Sequence, residues 1–208
     1  MSSPAQTSPA PPAPPTDFDP LVFWVQHRQK VTIFAGLFVA ALLIYFASEY
    51  VRLKRLDSSS RALAEAKDDE GFRKVISDYS GTAAAGNAYL LLADKLRKEG
   101  KTDEAVTTLR TFIDKYSDHP LISGAWTSLA ATQEAQGKPD EALSTYQKVS
   151  TTFATSFSAP VALLGQARIF KEKGKMDDAR RLFEQVINQY PDSMFAQQAM
   201  QESQHLKK

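Results

Sequence analysis

Three histidines are the side chains in this sequence best suited to metal binding or proton transfer. His27, His119 and His205 lie far apart, and none has a second ligand at the short spacing typical of a metal site. We therefore interpret each as a surface or turn histidine. Because the chain has no cysteine, disulfides, thiolate metal sites and a cysteine nucleophile are excluded as well.

Glycine–lysine pairs and acidic pairs are the remaining patterns that resemble phosphate-binding or catalytic motifs. A Gly-Lys pair begins at Gly100 and recurs twice, but no glycine-rich run of a phosphate loop precedes it. Asp103-Glu104 and Asp140-Glu141 are adjacent carboxylates, and adjacent helix residues do not face each other, so we predict that both pairs cap helices. No Gly-x-Ser-x-Gly elbow is present. The sequence thus predicts a protein that is not an enzyme, without cofactor, metal or small-molecule substrate.

Length and charge limit the remaining possibilities. The chain has 208 residues, which is typical of one domain with appendages, and 43% of them are hydrophobic, enough for a folded core. Its 25 basic and 24 acidic residues give a net charge of +1, without a basic stripe. Nucleic acid is therefore not an expected partner.

Residues 1–22 are predicted to form a disordered, proline-rich tail. Seven of the eleven prolines fall within the first twenty residues, and proline fixes φ and lacks an amide donor. The composition favours polyproline II conformation, either as a plain spacer or as a ligand for a partner's groove.

A transmembrane anchor with its flanks is predicted at residues 23–50. Val31–Ser48 contains eighteen residues without a charge, ten of them Val, Ile, Leu or Phe. As a helix this segment is about 27 Å long, close to the thickness of the hydrocarbon core. We disfavour a cleaved signal peptide, because the apolar run is too long and cleavage after Ala47 requires a small residue where Tyr45 stands.

The orientation of the anchor stays open when charges alone are counted. Two basic residues precede the apolar segment and four follow it closely, which places the C-terminal side in the cytoplasm by the positive-inside rule. Long domains, however, cross membranes largely regardless of charge, so the opposite orientation is also compatible with the sequence.

From residue 69 to residue 191 the sequence repeats with a period of 37. Five series keep this interval: Gly100, Gly137 and Gly174; Ala105, Ala142 and Ala179; Ala93, Ala130 and Ala167; Tyr79, Tyr116, Phe153 and Tyr190; and Phe112, Val149 and Val186. The glycines are expected to end helices in the left-handed conformation, and the alanines to let antiparallel helices approach closely. Because one hairpin cannot bury its apolar face alone, the units must stack.

The repeat predicts an all-α fold in which a solenoid of helical hairpins follows an N-terminal transmembrane helix. Residues 51–83 are interpreted as a juxtamembrane helix and a degenerate half-repeat, residues 84–192 as three hairpins, and residues 193–208 as a polar capping helix. The hairpins are predicted to pair 84–99 with 102–116, 121–136 with 139–152, and 158–173 with 176–190.

These hairpins resemble the tetratricopeptide repeat. The family pattern places an aromatic residue early, followed by a small residue, glycine, alanine and a second aromatic residue. The second hairpin matches it with Trp126, Ala130, Gly137, Ala142 and Tyr146. The period of 37 departs from the usual 34, and the extra residues fall between hairpins.

The order of parts also resembles one family, the bacterial ancillary subunit of the Sec translocon. The resemblance lies in a short tail, an anchor that begins with Phe23-Trp24-Val25, and the 37-residue repeats. It implies a single-pass protein of the bacterial inner membrane, with the tail in the cytoplasm and the repeats in the periplasm. It also implies contact with the translocon, periplasmic chaperones and exported polypeptides. The expected topology follows this resemblance rather than the charge count.

The candidate binding residues also follow from the tetratricopeptide resemblance, because the first helices of such stacks line a concave face. By register these residues are Leu90, Asp94, Arg97, Thr127, Ala131, Glu134, Leu164, Arg168 and Lys171. They mix apolar side chains with both signs of charge, and they lack the lysine and asparagine set that captures a C-terminal carboxylate. The same residues also suit a solvated helix face, so both interpretations stay open at this point.

Two functions fit these features. The first is a membrane-anchored adaptor at the Sec translocon, and the second is a tetratricopeptide scaffold in cell-wall or outer-membrane assembly. For the adaptor, we expect the part beyond about residue 52 to be a helical monomer or weak dimer. We expect it to bind unfolded or chaperone-held polypeptide with micromolar affinity, since ordering a flexible ligand is costly.

Overall fold

The computed structural model of this chain describes residues 20–206, apart from the side chain of Val22, and this part of the chain is α-helical without strands. Its helices are Pro20–Glu65 (α1), Asp69–Asp78 (α2), Ala83–Lys98 (α3), Thr102–Lys115 (α4), Ile122–Ala135 (α5), Pro139–Thr152 (α6), Ser158–Glu172 (α7), Met176–Gln189 (α8) and Met194–His205 (α9). The prediction of an all-α repeat fold is confirmed. The chain divides into two compact units, Met1–Arg52 and Leu53–Lys208.

The first unit consists, in its described part, of the N-terminal portion of α1. Gly36 is the one glycine of this helix and no proline follows Pro20, so nothing in the sequence breaks it. From residue 32 to residue 48 every side chain is exposed, including Phe34 and Ile44 at 71% each. Among the described residues, α1 is the one helix long and apolar enough to cross a membrane. The predicted proline-rich tail lies outside the described residues, except for positions 20–22 at the start of α1.

The second unit is a series of antiparallel helix pairs. α3 pairs with α4, α5 with α6, and α7 with α8, and each pair also packs against the helix that follows it. Gly100, Gly137 and Gly174 follow the first helices of these pairs with φ values of 77°, 72° and 73°. The predicted left-handed turns are therefore confirmed, and glycine adopts this conformation without the strain a side chain adds.

Small residues hold the two helices of each pair together. The six repeated alanines, Ala93, Ala105, Ala130, Ala142, Ala167 and Ala179, are at most 2% exposed. Phe112, Val149 and Val186 are fully buried and repeat at the same interval. The core is consequently a row of clusters that runs along the stack, as expected for a repeat protein in which each unit contacts its neighbours.

The acidic pairs after the turns connect neighbouring units, which corrects the capping role predicted for them. α4 and α6 begin without any side-chain capping hydrogen bond. Gln136 instead donates from Nε2 to Asp103 Oδ1 at 2.7 Å, and Lys173, 37 residues further on, pairs with Asp140. The carboxylates do lie in the first helical turn, where the helix dipole favours them. The partners of Asp103 and Asp140, however, come from the next unit, which local sequence patterns do not reveal.

The stack ends with α9, at the place of the predicted capping helix. Ser193 accepts a hydrogen bond from the Phe195 amide at 3.2 Å and so caps the N-terminus of α9. Ala196 and Ala199 face inward, whereas most of the glutamines of α9 are exposed. Residues 207–208 of the predicted segment lie outside the described residues.

Candidate functional site

The nine predicted binding residues lie on α3, α5 and α7, the first helices of the three pairs. Five of them line a groove between α3 and α5: Leu90, Asp94, Arg97, Thr127 and Ala131. Leu164, Arg168 and Lys171 line a second groove, and Glu134 bonds to Arg168. The structure thus gathers the nine residues into two open grooves and one ion pair, and their role in binding stays a prediction.

The groove between α3 and α5, called the α3/α5 groove below, has a volume of about 380 Å³. Ala93 and Leu109, each 2% exposed, form its apolar base, and Leu121 at the start of α5 is 40% exposed. Thr127 and Ser128 border it on the α5 side. The groove exists because α3 and α5 contact each other far less than α5 and α7 do.

Three charged side chains lie at the C-terminal end of α3, next to this groove. Arg97 Nη2 is 2.8 Å from Asp94 Oδ1, and Lys98 Nζ is 2.6 Å from Asp94 Oδ2. The hydrogen bond from Lys98, followed by that from Arg97, holds the pKa of the Asp94 carboxyl below its usual range. Lys98 itself does not line the groove, but because two cations share the Asp94 carboxylate, the three side chains together carry one net positive charge.

The second groove, called the α7/α9 groove, is lined by α7, α8 and α9 and has a volume of about 490 Å³. Leu164 and Phe183, at 9% and 3% exposure, form its apolar base, and Met176 is 43% exposed at its edge. Lys171 Nζ pairs with Glu202 Oε2 of α9 at 2.8 Å. The edges of this groove are therefore charged, while its base is apolar.

Between α5 and α7 three side chains fill the space that is open between α3 and α5. Arg168 donates from Nε and Nη2 to the two Glu134 oxygens at 2.6 and 2.7 Å, a bidentate arrangement that is the stronger form of this ion pair. Tyr146, 2% exposed, donates its hydroxyl to Glu134 Oε2 at 3.2 Å. Burial and then the Glu134 charge raise the pKa of Tyr146 well above its ordinary value, so the hydroxyl remains a donor. Glu134, Tyr146 and Arg168 are called the Tyr146 cluster.

Gly165 provides the space that the Tyr146 ring occupies. A Cβ atom at residue 165 would lie 2.6 Å from ring atoms Cε2 and Cζ of Tyr146. Real Cβ atoms do not approach other carbons this closely. Glycine is therefore required on α7 as long as tyrosine stands at residue 146.

The α3/α5 groove and the Tyr146 cluster occupy corresponding positions of consecutive repeats. At intervals of 37 residues, Arg97 corresponds to Glu134, Leu109 to Tyr146, Ser128 to Gly165, and Ala131 to Arg168. Leu109 and Ala131 are shorter than Tyr146 and Arg168, and Arg97 has no partner at residue 131, so the first junction is left open. Corresponding positions of the repeat thus form a groove in one place and, where the helices approach more closely, a filled junction in the next.

Reasoning from sequence missed Leu109, Tyr146 and Gly165 as residues that shape the concave face. Leu109 and Tyr146 lie on the second helices α4 and α6, whereas the register argument considered only the first helices. The available signal was Gly165, because glycine inside a helix costs about 1 kcal/mol relative to alanine and so indicates a close contact.

The surface of the two grooves is suited to binding. Within residues 20–206 no group of three or more histidine, aspartate and glutamate side chains is placed to hold a metal ion. Asp94, Glu134 and Glu202 each bond to a cation. Apolar bases bordered by paired charges are suited to hold side chains of another molecule.

The family of the chain is shown by its sequence. The profile of the tetratricopeptide repeat-like domain family matches residues 22–203, so the chain belongs to this family. Domains of this kind are typically non-catalytic scaffolds that bind other proteins. The predicted tetratricopeptide-type fold is thereby confirmed.

Two solved structures illustrate the shared fold. One is the Yersinia enterocolitica type III secretion chaperone SycD in complex with a peptide of the translocator YopD. Its sequence identity to this chain is 16% and its TM-score is 0.50, and the match covers 58% of this chain and 91% of SycD. The kinesin light chain TPR-like repeats of Podosopora anserina are 19% identical with a TM-score of 0.55, over 74% of this chain and 83% of that one. No curated protein matches the sequence. At these identities the likeness concerns the fold alone.

Proposed function

We propose that this chain is a membrane-anchored adaptor that binds polypeptides, as an ancillary subunit of the bacterial Sec translocon. The observation that carries the proposal is the pair of open, apolar-based grooves lined by residues of α3, α5 and α7. Volumes of about 380 and 490 Å³ suit a few side chains of a flexible segment rather than a folded domain. SycD, which shares the fold, holds a translocator peptide, and this supports a peptide ligand here.

Anchoring by α1 is the second part of the proposal. Its charge-free stretch exposes apolar side chains such as Phe34 and Ile44, which water disfavours and a lipid bilayer accepts. Replacing Leu42 by Arg should cost roughly 2.5–3.5 kcal/mol of insertion free energy at the bilayer centre. Alkaline carbonate should then extract the Leu42→Arg protein from membranes, but neither the parent nor the Leu42→Phe control. Extraction of the parent would contradict anchoring.

The proposed topology places the tail in the cytoplasm and the repeats in the periplasm of the inner membrane. It rests on the resemblance to the translocon subunit family, against the charges that flank the apolar segment. Protease added to intact spheroplasts should degrade the chain beyond residue 50. Protection of the repeats, with cleavage in the proline-rich tail, would reverse the orientation.

The partners proposed for the adaptor are the Sec translocon, periplasmic chaperones and exported polypeptides. Anchoring raises the effective concentration of the grooves at the place where exported chains emerge. Crosslinking in living cells, followed by purification, should therefore recover these three classes of protein. Recovery of cell-wall or outer-membrane assembly proteins instead would support the scaffold function and contradict the translocon role.

A further inference from the structure

We propose that the α3/α5 groove is the principal polypeptide site, that it takes a bulky apolar side chain next to a carboxylate, and that the Tyr146 cluster closes the following junction to ligands. This inference deepens the proposed adaptor function and rests on it. Two equivalent junctions of the repeat thus have different roles. The junction between α3 and α5 binds the ligand, and the junction between α5 and α7 makes the stack rigid.

Room for an apolar side chain is the first argument. The base of the α3/α5 groove is formed by Ala93 and Leu109, and the half-buried Leu90 and Ala131 lie on facing helices. A ligand side chain placed here removes its own surface and that of Leu121 from water, which is the main source of affinity for such contacts.

Charge is the second argument, and it separates the two open grooves. Asp94 and Arg97 line the end of the α3/α5 groove, and Lys98, which lies outside the lining, also pairs with Asp94. The three side chains together carry one net positive charge, which attracts a carboxylate. In the α7/α9 groove Lys171 is paired with Glu202 and Arg168 with Glu134, while Glu172 adds a further negative charge. An acidic ligand therefore favours the first groove over the second.

The cost of opening the middle junction is the third argument. A ligand between α5 and α7 has to displace Arg168 from both oxygens of Glu134, and the Tyr146 hydroxyl then loses its acceptor. Leaving a buried polar group unsatisfied is costly. Gly165 offers no side chain of its own for contact with a ligand. The bound segment consequently ends at α5 instead of continuing along the whole concave face.

The 37-residue repeat allows this inference to be tested by exchanging the two junctions. In the closing variant, the junction between α3 and α5 receives the residues of the filled junction through four changes: Arg97→Glu, Leu109→Tyr, Ser128→Gly and Ala131→Arg. The opening variant carries the reverse changes: Glu134→Arg, Tyr146→Leu, Gly165→Ser and Arg168→Ala. A single Ala131→Arg variant adds one long side chain to the groove. It tests the same site if the fourfold variant does not fold. All proteins are full-length, in mild detergent, with circular dichroism and thermal melting as checks of the fold.

The probes are labelled synthetic octapeptides in a glycine–serine background, measured by fluorescence anisotropy. The first contains Leu-Phe followed by two glutamates, the second has lysines in place of the glutamates, and the third has serines in place of Leu-Phe. A reduced, carboxymethylated protein serves as a general unfolded ligand. We expect the parent and the opening variant to bind the first probe at least tenfold more tightly than the other two.

The expected result is that the closing variant and Ala131→Arg, while still folded, lose at least tenfold in affinity for the first probe. Unchanged affinity in both folded variants overturns the inference, and so does equal binding of the acidic and basic probes by the parent. If the parent binds the carboxymethylated protein and the closing variant binds it equally well, the groove assignment fails but the adaptor function stands. If the parent binds neither ligand, the adaptor function fails as well.

Discussion

The junction between α3 and α5 and the junction between α5 and α7 are built from corresponding positions of the same repeat, yet they differ in kind. In the first, Leu109 and Ala131 leave a groove of about 380 Å³. In the second, Tyr146 and Arg168 fill the same space and bond to Glu134. A repeat protein can therefore place an open groove and a filled junction next to each other through a few side-chain differences and a closer approach of one helix pair.

The largest expected effect concerns Gly165, on which the filled junction depends. Gly165→Val puts carbon atoms where the Tyr146 ring lies, 2.6 Å from the position of the new Cβ, and should lower the free energy of unfolding by about 3 kcal/mol. Ser128→Val at the corresponding exposed position of the open junction should change it by less than about 0.5 kcal/mol. Urea unfolding followed by circular dichroism measures both.

A rescue experiment sharpens this prediction. Combining Gly165→Val with Tyr146→Leu, the residue type of the open junction, should recover a large part of the loss. Equal losses at residues 165 and 128, or no recovery in the double variant, would show that the two junctions do not differ as described.

The second prediction uses pH, because Tyr146 titrates abnormally. A tyrosine whose pKa is raised on folding keeps its proton in the folded state, while the unfolded chain loses it near pH 10. The stabilisation is complete below pH 10 and is lost as the pH rises. Urea unfolding at pH 9, 10 and 11 measures the free energy of unfolding of the parent and of Tyr146→Phe. Above pH 10 this free energy should fall more steeply in the parent than in the variant, by up to about 1.4 kcal/mol per pH unit. Parallel losses in both proteins would contradict a buried, protonated Tyr146.

A third prediction compares the ion pairs of the two junctions. A double-mutant cycle with Glu134→Gln and Arg168→Gln should give a coupling energy of about 1 kcal/mol, since the pair is bidentate and Glu134 is largely buried. The same cycle with Asp94→Asn and Arg97→Gln should give about 0.3 kcal/mol, because both side chains are more than 40% exposed. Similar couplings would remove the energetic distinction between the junctions.

The smallest expected effect is the acid titration of the open junction. The pKa of Asp94 is lowered by Lys98 and Arg97, so its contribution is present above about pH 4 and is lost as the pH falls through the folded-state value. Because these side chains are largely exposed, the effect is small. The loss in free energy of unfolding between pH 6 and pH 3 should be only about 0.3 kcal/mol smaller in Asp94→Asn than in the parent. Unfolding midpoints at pH 3 and pH 6 test this, and a larger dependence on Asp94 would indicate that the groove end is less solvated than the structure shows.

Several features of the fold could be predicted because they depend on neighbours in sequence. Gly100 and Gly174 predict left-handed helix ends because few other residues tolerate that conformation, and both have positive φ. Ala93 and Ala142 predict close helix packing because their period places them on the facing sides of a pair, and both are buried. These inferences need only the local backbone and the periodicity of the chain.

The candidate site could be predicted only in part, since it depends on contacts between units. Register placed Ala131 and Arg168 on the same face, and the structure finds one beside a groove and the other in an ion pair. Its position after the turn predicts that Asp103 caps a helix, but its hydrogen-bond partner, Gln136, comes from the next unit. A helix in isolation does not indicate which residue of the following helix will stand opposite.

The sequence by itself thus determines the repeat, its turns, its packing alanines and the apolar, charge-free run of residues 31–48, because these follow from residue type and spacing along one chain. Only the tertiary structure decides that one junction is open and the next is filled. The reason is physical: the space between two helices depends on the summed volumes of side chains from three helices, such as Leu109 or Tyr146 against residues 128 or 165. Those side chains meet only when the units are stacked.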